Sequence, residues 1–113
     1  MKEVMIILRP KMYFPTKDAL DQAGFHSMTI REIIGRGKCP VHYDYDEGAP
    51  VKHRLVAKIM IDMFVRDEDL QKLIDTVVEV NKTNHAGDGK IFVLPVNDAI
   101  RVRTGEKGIE AIM

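Results

Sequence analysis

The feature that most constrains this chain is a duplicated pattern within 113 residues. Each half supplies an apolar strand, a helix, a glycine-bearing turn and a second strand, and a long aperiodic stretch separates the halves. A domain of this length buries one core and not two, so both halves must share it.

Val4 to Leu8 is a continuous apolar run ending at Arg9-Pro10, which reads as a strand buried on both faces. Pro15 suits a first helical turn. Thr16, Ala19, Leu20 and Ala23 then share one face, and Gly24 supplies the stop. Met28 to Ile34 is the next strand. Residues 38–54 lose all periodicity, with two prolines, a glycine and the acids Asp44, Asp46 and Glu47, and are expected to form a long functional loop. From Leu55 to Phe64 the chain alternates: Leu55, Ala57, Ile59, Ile61 and Met63 on one side, Lys58 and Asp62 on the other with Val56, Met60 and Phe64. Asp67-Glu68-Asp69 is an acidic helix start, and Leu70, Leu73, Ile74, Val77 and Val78 form an amphipathic stripe. Ile91 to Leu94 is the last core strand. The order β-α-β, loop, β-α-β predicts an α+β, ferredoxin-like βαββαβ fold: an antiparallel sheet with two helices on one face.

Seventeen basic and seventeen acidic side chains give no net charge, so no basic field draws the chain to nucleic acid or anionic membrane. No apolar run is long enough to span a bilayer, and no signal-peptide core follows Met1-Lys2-Glu3. Cys39 is the single cysteine, which excludes an internal disulfide and suits a reducing cytoplasm.

The chemistry concentrates in two glycine turns and a basic segment. Gly87-Asp88-Gly89-Lys90 opens onto Ile91-Phe92-Val93, and its bare backbone N–H groups can face a ligand with no Cβ in the way. Gly35-Arg36-Gly37-Lys38 repeats that chemistry. Ile100-Arg101-Val102-Arg103 alternates apolar and basic; in extended chain Arg101 and Arg103 would share a face about 7 Å apart, close to the span of a polyphosphate. Together these residues form a candidate nucleotide-phosphate cradle.

These segments resemble a known family. Gly87-Asp88-Gly89-Lys90-Ile91-Phe92-Val93 and Arg101-Val102-Arg103-Thr104-Gly105-Glu106 look like the C-terminal signature of the PII nitrogen-regulatory proteins. Length, strand order, the Gly35-Arg36-Gly37 turn, the central loop and Lys58 match as well. Arg9-Pro10-Lys11, Thr16-Lys17, Ala23-Gly24-Phe25 and Gly35-Arg36-Gly37-Lys38 resemble the NifI subgroup, associated with nitrogenase. The resemblance implies one PII-like domain over 1–113, a cytoplasmic trimer of identical or paralogous subunits, and nucleotide sites in the clefts between them. ATP and ADP would compete there, and 2-oxoglutarate would bind with Mg-ATP. Gly87, Asp88, Gly89, Lys90, Arg101 and Arg103 would hold phosphates, with Gly35, Gly37 and Lys38 across the cleft. Thr29 and Phe64 would lie near the adenine or ribose. Lys58, with Gly87 and Cys39, would surround 2-oxoglutarate. Residues 38–54 would be the flexible T-loop, presenting His42, Tyr43, Asp44, Tyr45, Asp46 and Glu47 to nitrogenase. Magnesium would be held through ATP and not by protein side chains.

Two residues depart from the family pattern. Cys39 stands where most members carry a glutamine that helps hold Mg²⁺ and 2-oxoglutarate, and a thiol is a poor partner for a hard cation. Val51 stands where some relatives carry a uridylylated tyrosine, and Tyr43 and Tyr45 are out of register, so no uridylylation is expected.

Taken singly, each candidate has a plainer explanation. Lys58 can snorkel to a subunit edge, and Arg101 and Arg103 can be a solvated strand face. The glycine turns can be hairpin punctuation, the Asp44–Glu47 cluster a solvated loop, and Met5, Met28, Met60 and Met63 core filling. Cys39 and His42 lack a second ligand pair at zinc spacing. The chain also lacks the Walker A spacing and any Ser or His beside an activating partner, which argues against a ferredoxin-like phosphotransferase. Phe92 stands nearly alone where an RNA-binding sheet needs several aromatics. The reading is a non-enzymatic sensor of adenine nucleotide and 2-oxoglutarate acting on nitrogenase. The alternative is a PII-like adenylate sensor acting on a transporter or metabolic enzyme.

Overall fold

The computed structural model describes residues 1–36 and 55–113. Strand β1 (Lys2–Leu8) leads through a single 3-10 turn at Pro10–Met12 into α1 (Tyr13–Gln22) and then β2 (Thr29–Gly35). The second half runs β3 (Val56–Val65), a 3-10 turn at Asp67–Asp69, α2 (Leu70–Asn81) and β4 (Lys90–Pro95), with a short C-terminal α3 (Ile109–Ile112). The strands lie in the order β2-β3-β1-β4 and every neighbouring pair is antiparallel. This is the α+β ferredoxin-like arrangement that the duplicated pattern predicts.

Alternation decides which face is covered. Val4, Ile6 and Leu8 of β1 and Ile61, Met63 and Val65 of β3 meet Leu20 of α1 and Leu73 and Val77 of α2 in one buried cluster. The helical stripe is narrower than its sequence implies, since Val78 remains 44% exposed at the flank of α2. A polar bond inside this layer joins the helices. Asn81 donates from Nδ2 to Thr16 Oγ1 (3.0 Å) and to the Val77 carbonyl (2.9 Å), while Thr16 donates to the Met12 carbonyl (2.7 Å). Both residues are buried, so each satisfied hydrogen here avoids a desolvation cost of about 1–3 kcal/mol. Helix α1 ends at Gly24 (φ +95°), whose left-handed backbone lets the Phe25 N–H return to the Leu20 carbonyl at 2.8 Å.

The other face of the sheet has neither α1 nor α2 on it. Met5 and Ile7 are only half-buried, so β1 is covered on one face within a single chain and not on two as its unbroken apolar run predicts. Met60 sits there too, half-buried, whereas Met63 fills the core. Phe64 and Phe92 are nearly half exposed on this face. Glu3 lies beside Asp62 on it. Their shared hydrogen bond, burial and mutual repulsion raise the Glu3 carboxyl above its usual range, against the pull of Arg31. Among the described residues, no helix is long and apolar enough to cross a membrane.

Candidate nucleotide-binding site

The register of the sheet builds one end of the site. Leu8 faces Ile59 across one ladder, and Ile7 faces Lys90 across the other. One step beyond Leu8 brings Arg9 opposite Lys58 on β3, and two beyond Ile7 bring it opposite Asp88 on the approach to β4. Ile33 of β2 pairs with Lys58, so Ile33, Lys58, Arg9 and Asp88 form a row across the end of the sheet. Gly35 faces Val56 two rows out.

Residues 82–90 wrap over the end of this row, and the Asp88 carboxylate organises them. It accepts from the Thr83 N–H (2.7 Å), the Asn84 N–H (3.1 Å), the Thr83 hydroxyl and Arg9 Nη1 (2.9 Å). Arg9 Nη2 donates to the Ala86 carbonyl at 2.9 Å, so one guanidinium grips the loop at two points. The Thr83 hydroxyl and amide, then Arg9, hold the Asp88 carboxyl far below the usual carboxylate range. A carboxylate so engaged organises the loop itself, and Lys90 follows it as an exposed cation at the start of β4. Gly87 and Gly89 both have positive φ, +94° and +120°. A Cβ on Gly89 would stand 2.2 Å from the Ile7 carbonyl oxygen, so only glycine lets the loop lie this close to β1.

Lys58 completes the corner. Burial lowers its pKa, and the Arg9 charge lowers it further. Arg9 already spends its charge on Asp88, and an anion beside Lys58 would relieve the repulsion that remains. The Arg9 guanidinium of this corner lies against Gly87 of the turn.

Thr29 and Phe64 stand elsewhere. Thr29 pairs with Asp62, and Phe64 pairs with Glu3, at the opposite end of the open face. From Lys58 to Phe64 along β3 is roughly 20 Å. A single chain therefore carries two clusters, one cationic and glycine-lined, the other beside Thr29 and Phe64.

The Arg101–Arg103 segment differs from its expected extended form. Residues 102–104 make a turn, closed by Gly105 N–H to the Arg101 carbonyl (2.7 Å) and Arg101 N–H to the Glu106 carbonyl (2.8 Å). Gly105 has φ +75°, and Ile100 bridges Lys107. The two arginines thus do not share a strand face. Arg101 instead donates to Glu106, Glu110 and Met113 within the C-terminal arm. Gly37, Lys38, Cys39, the loop residues His42, Tyr43, Asp44, Tyr45, Asp46 and Glu47, and Val51 lie outside the described residues. On the helix side, a cavity of about 390 Å³ lies among Ile6, Leu8, Ile74, Val77 and Asn81 and reaches Asp88, Gly89 and Lys90 of the glycine loop.

Comparison with known proteins settles what this arrangement is related to. The family model described as "Nitrogen regulatory protein P-II" matches residues 1–106. The chain belongs to the PII family. A protein of Methanothermobacter marburgensis named nitrogen fixation nifHD region GlnB-like protein 2 is 41% identical over 122 residues, covering 99% of this chain and all of that protein. Such relatives agree with the NifI resemblance. The solved structure of B. subtilis GlnK superposes with a TM-score of 0.80 at 31% identity, covering 97% of this chain and 96% of that one. The structure of Arabidopsis thaliana PII bound to citrate gives 0.76 at 35% identity, covering 98% and 88%. The relatives carry regulatory names, and PII proteins are signal transducers rather than enzymes.

Within this PII chain, sequence reasoning missed the roles of Arg9 and Thr83. Arg9 meets its partner across 79 positions, which no local pattern signals. One clue was available: a charged residue directly after an apolar strand sits at the sheet's end, where ladder register aligns it with the neighbouring strands.

Proposed function

We propose that this PII chain is a signal transducer that binds ATP or ADP and 2-oxoglutarate and regulates nitrogen fixation through residues 38–54 docking on nitrogenase. The observation that carries this reading is the corner itself: Arg9 and Lys58 stand in register beside a glycine turn whose only carboxylate is spent internally. Charge-assisted hydrogen bonds contribute roughly 1.5–3 kcal/mol each. Four or five of them, less desolvation and ordering, support micromolar affinity, about 8 kcal/mol.

The separation of the two clusters supports a site shared between subunits. The glycine end of one chain would take the phosphates, and the Thr29–Phe64 end of the next would take the adenine or ribose. The helix-free sheet face, with Phe64, Phe92 and Leu94 exposed, supplies an apolar surface for a homotrimer or a mixed trimer with a paralogous subunit. Lys58 would bind a 2-oxoglutarate carboxylate, relieving its repulsion from Arg9. The citrate carried by the Arabidopsis relative fits a polycarboxylate-binding family. The nifHD-region names point to nitrogenase as target, and the reading is of a cytoplasmic protein. Ligand would act by linkage: 2-oxoglutarate favours one loop shape and weakens docking by its differential affinity for the two shapes.

Isothermal titration with Mg-ATP, then with 2-oxoglutarate with and without ATP, tests this. Binding of 2-oxoglutarate only with Mg-ATP supports the full reading. ATP binding without 2-oxoglutarate supports the alternative, an adenylate sensor acting on another target, which Cys39 in place of glutamine favours. No binding of either removes the mechanism.

A further inference from the structure

Arg101 is already occupied. Its Nη2 donates to two main-chain oxygens of the C-terminal segment, Glu110 O at 2.9 Å and Met113 O at 3.0 Å. Its Nη1 donates to Glu106 Oε1 at 3.3 Å. A guanidinium has five N–H donors, and it grips phosphate two-handed either end-on, through both Nη atoms, or side-on, through Nε and Nη2. Both grips need a hydrogen of Nη2, and both of its hydrogens are spent. In this arrangement Arg101 has no two-handed contact left to give an anion.

The segment that occupies it is lightly held. Helix α3 spans only Ile109–Ile112, Ile109 is 46% exposed and Met113 70%. Its internal main-chain bonds are few: Ala111 N–H to the Gly108 carbonyl (3.0 Å) and Met113 N–H to the Ile109 carbonyl (3.1 Å). Arg101 thereby serves the orphan carbonyls at the end of this turn. The same side chain would have to leave them to reach a phosphate.

We infer that residues 109–113 are an internal competitor for the nucleotide polyphosphate: they hold Arg101 in a latched state that nucleotide binding must open. The inference rests on the reading of Arg101 as a phosphate ligand. Competition is reciprocal, because whatever frees Arg101 strengthens nucleotide binding and nucleotide in turn frees the tail. Arg103, on the turn, has no hydrogen-bond partner among the described residues, so it is the arginine available for first contact.

Two measurements decide it. The first is Mg-ATP affinity by isothermal titration of the full chain, a variant lacking residues 109–113, and Glu106→Gln. Deletion is expected to tighten binding about fivefold or more and Glu106→Gln about twofold, since charged hydrogen bonds are being withdrawn from competition. The second is amide exchange at Ala111 and Met113 in the full chain, which saturating Mg-ATP should accelerate. Unchanged or weakened affinity on deletion, or exchange that slows or stays constant with nucleotide, overturns the latch. If the deletion variant fails to fold, exchange in the full chain decides between the two states by itself. Equal ATP binding by all three proteins removes the latch and leaves the nucleotide reading standing. Absence of ATP binding in every form removes both.

Discussion

The glycine loop at residues 82–90 and the C-terminal arm at residues 99–113 carry most of the phosphate-facing candidates, and they are held in opposite ways. The loop is tied to the sheet: Arg9, from the end of the central strand, grips Asp88 and Ala86, and Gly89 lies against the Ile7 carbonyl. The arm is tied mostly to itself, through Ile100–Lys107, Gly105–Arg101 and the three bonds of the Arg101 guanidinium. Val102 is 98% exposed and Ile100 60%. A ligand group on the first segment is prepositioned by the fold's own core. One on the second takes its position from local bonds that a ligand can replace. Rigidity and availability are thus divided between two stretches of chain.

The paired glycines give the largest test of this contrast. Gly89→Ala is expected to destabilise the fold by about 3 kcal/mol, combining left-handed strain with a clash against backbone. Gly105 has a positive φ but open space around it, so Gly105→Ala should cost only about 1 kcal/mol. Urea unfolding of both variants measures the difference; equal costs would mean that the loop is no more anchored than the arm.

Next come the anchors. Asp88→Asn and Arg9→Met should each weaken Mg-ATP binding about tenfold and speed exchange at the Thr83 and Asn84 amides. Arg101→Met should leave those loop amides unchanged. Loop amides that respond to the arm substitution would erase the distinction.

Acid provides a third probe. Asp88 titrates below its unfolded value, so its contribution to stability is complete above the ordinary carboxylate range and disappears only as pH falls through the lower folded value. Protection at the Thr83 and Asn84 amides should therefore survive at about pH 4, where unperturbed carboxylates are protonating. Hydrogen exchange across the acid range reads this directly, and early loss would show that Asp88 is not the loop's organiser. The smallest effect belongs to the arm: Glu106→Gln should alter global stability by less than about 0.5 kcal/mol in thermal unfolding, as an exposed ion pair implies.

Legibility in the sequence follows the same division. The alternation from Leu55 to Phe64 placed Ile61 and Met63 in the core and Lys58 and Phe64 on the other face, because one buried face fixes a strand's register. The stripe of α2 identified Leu73 and Val77 for the equivalent helical reason. The glycine turn at residue 87 could be read locally, since positive φ selects glycine. Ile-Arg-Val-Arg could not be read so. Alternation records a strand only where another strand and a core receive it, and the arm has neither. The Arg9–Asp88 grip was hidden by distance along the chain, and the double burial expected of β1 failed because one chain brings helices to one face only.

The Arg9–Asp88 contact also bears on biosynthesis. Its partners lie 79 positions apart, and they meet only when β4 pairs with β1. Pairing of β1 with β3 sets Arg9 beside Lys58, and the last strand is what brings the glycine loop to them. A chain whose β4 is unpaired therefore lacks the complete corner, which is finished together with the sheet. Any anion bound at this corner would then hold β1, β3 and the glycine loop together and raise the cost of reopening the sheet.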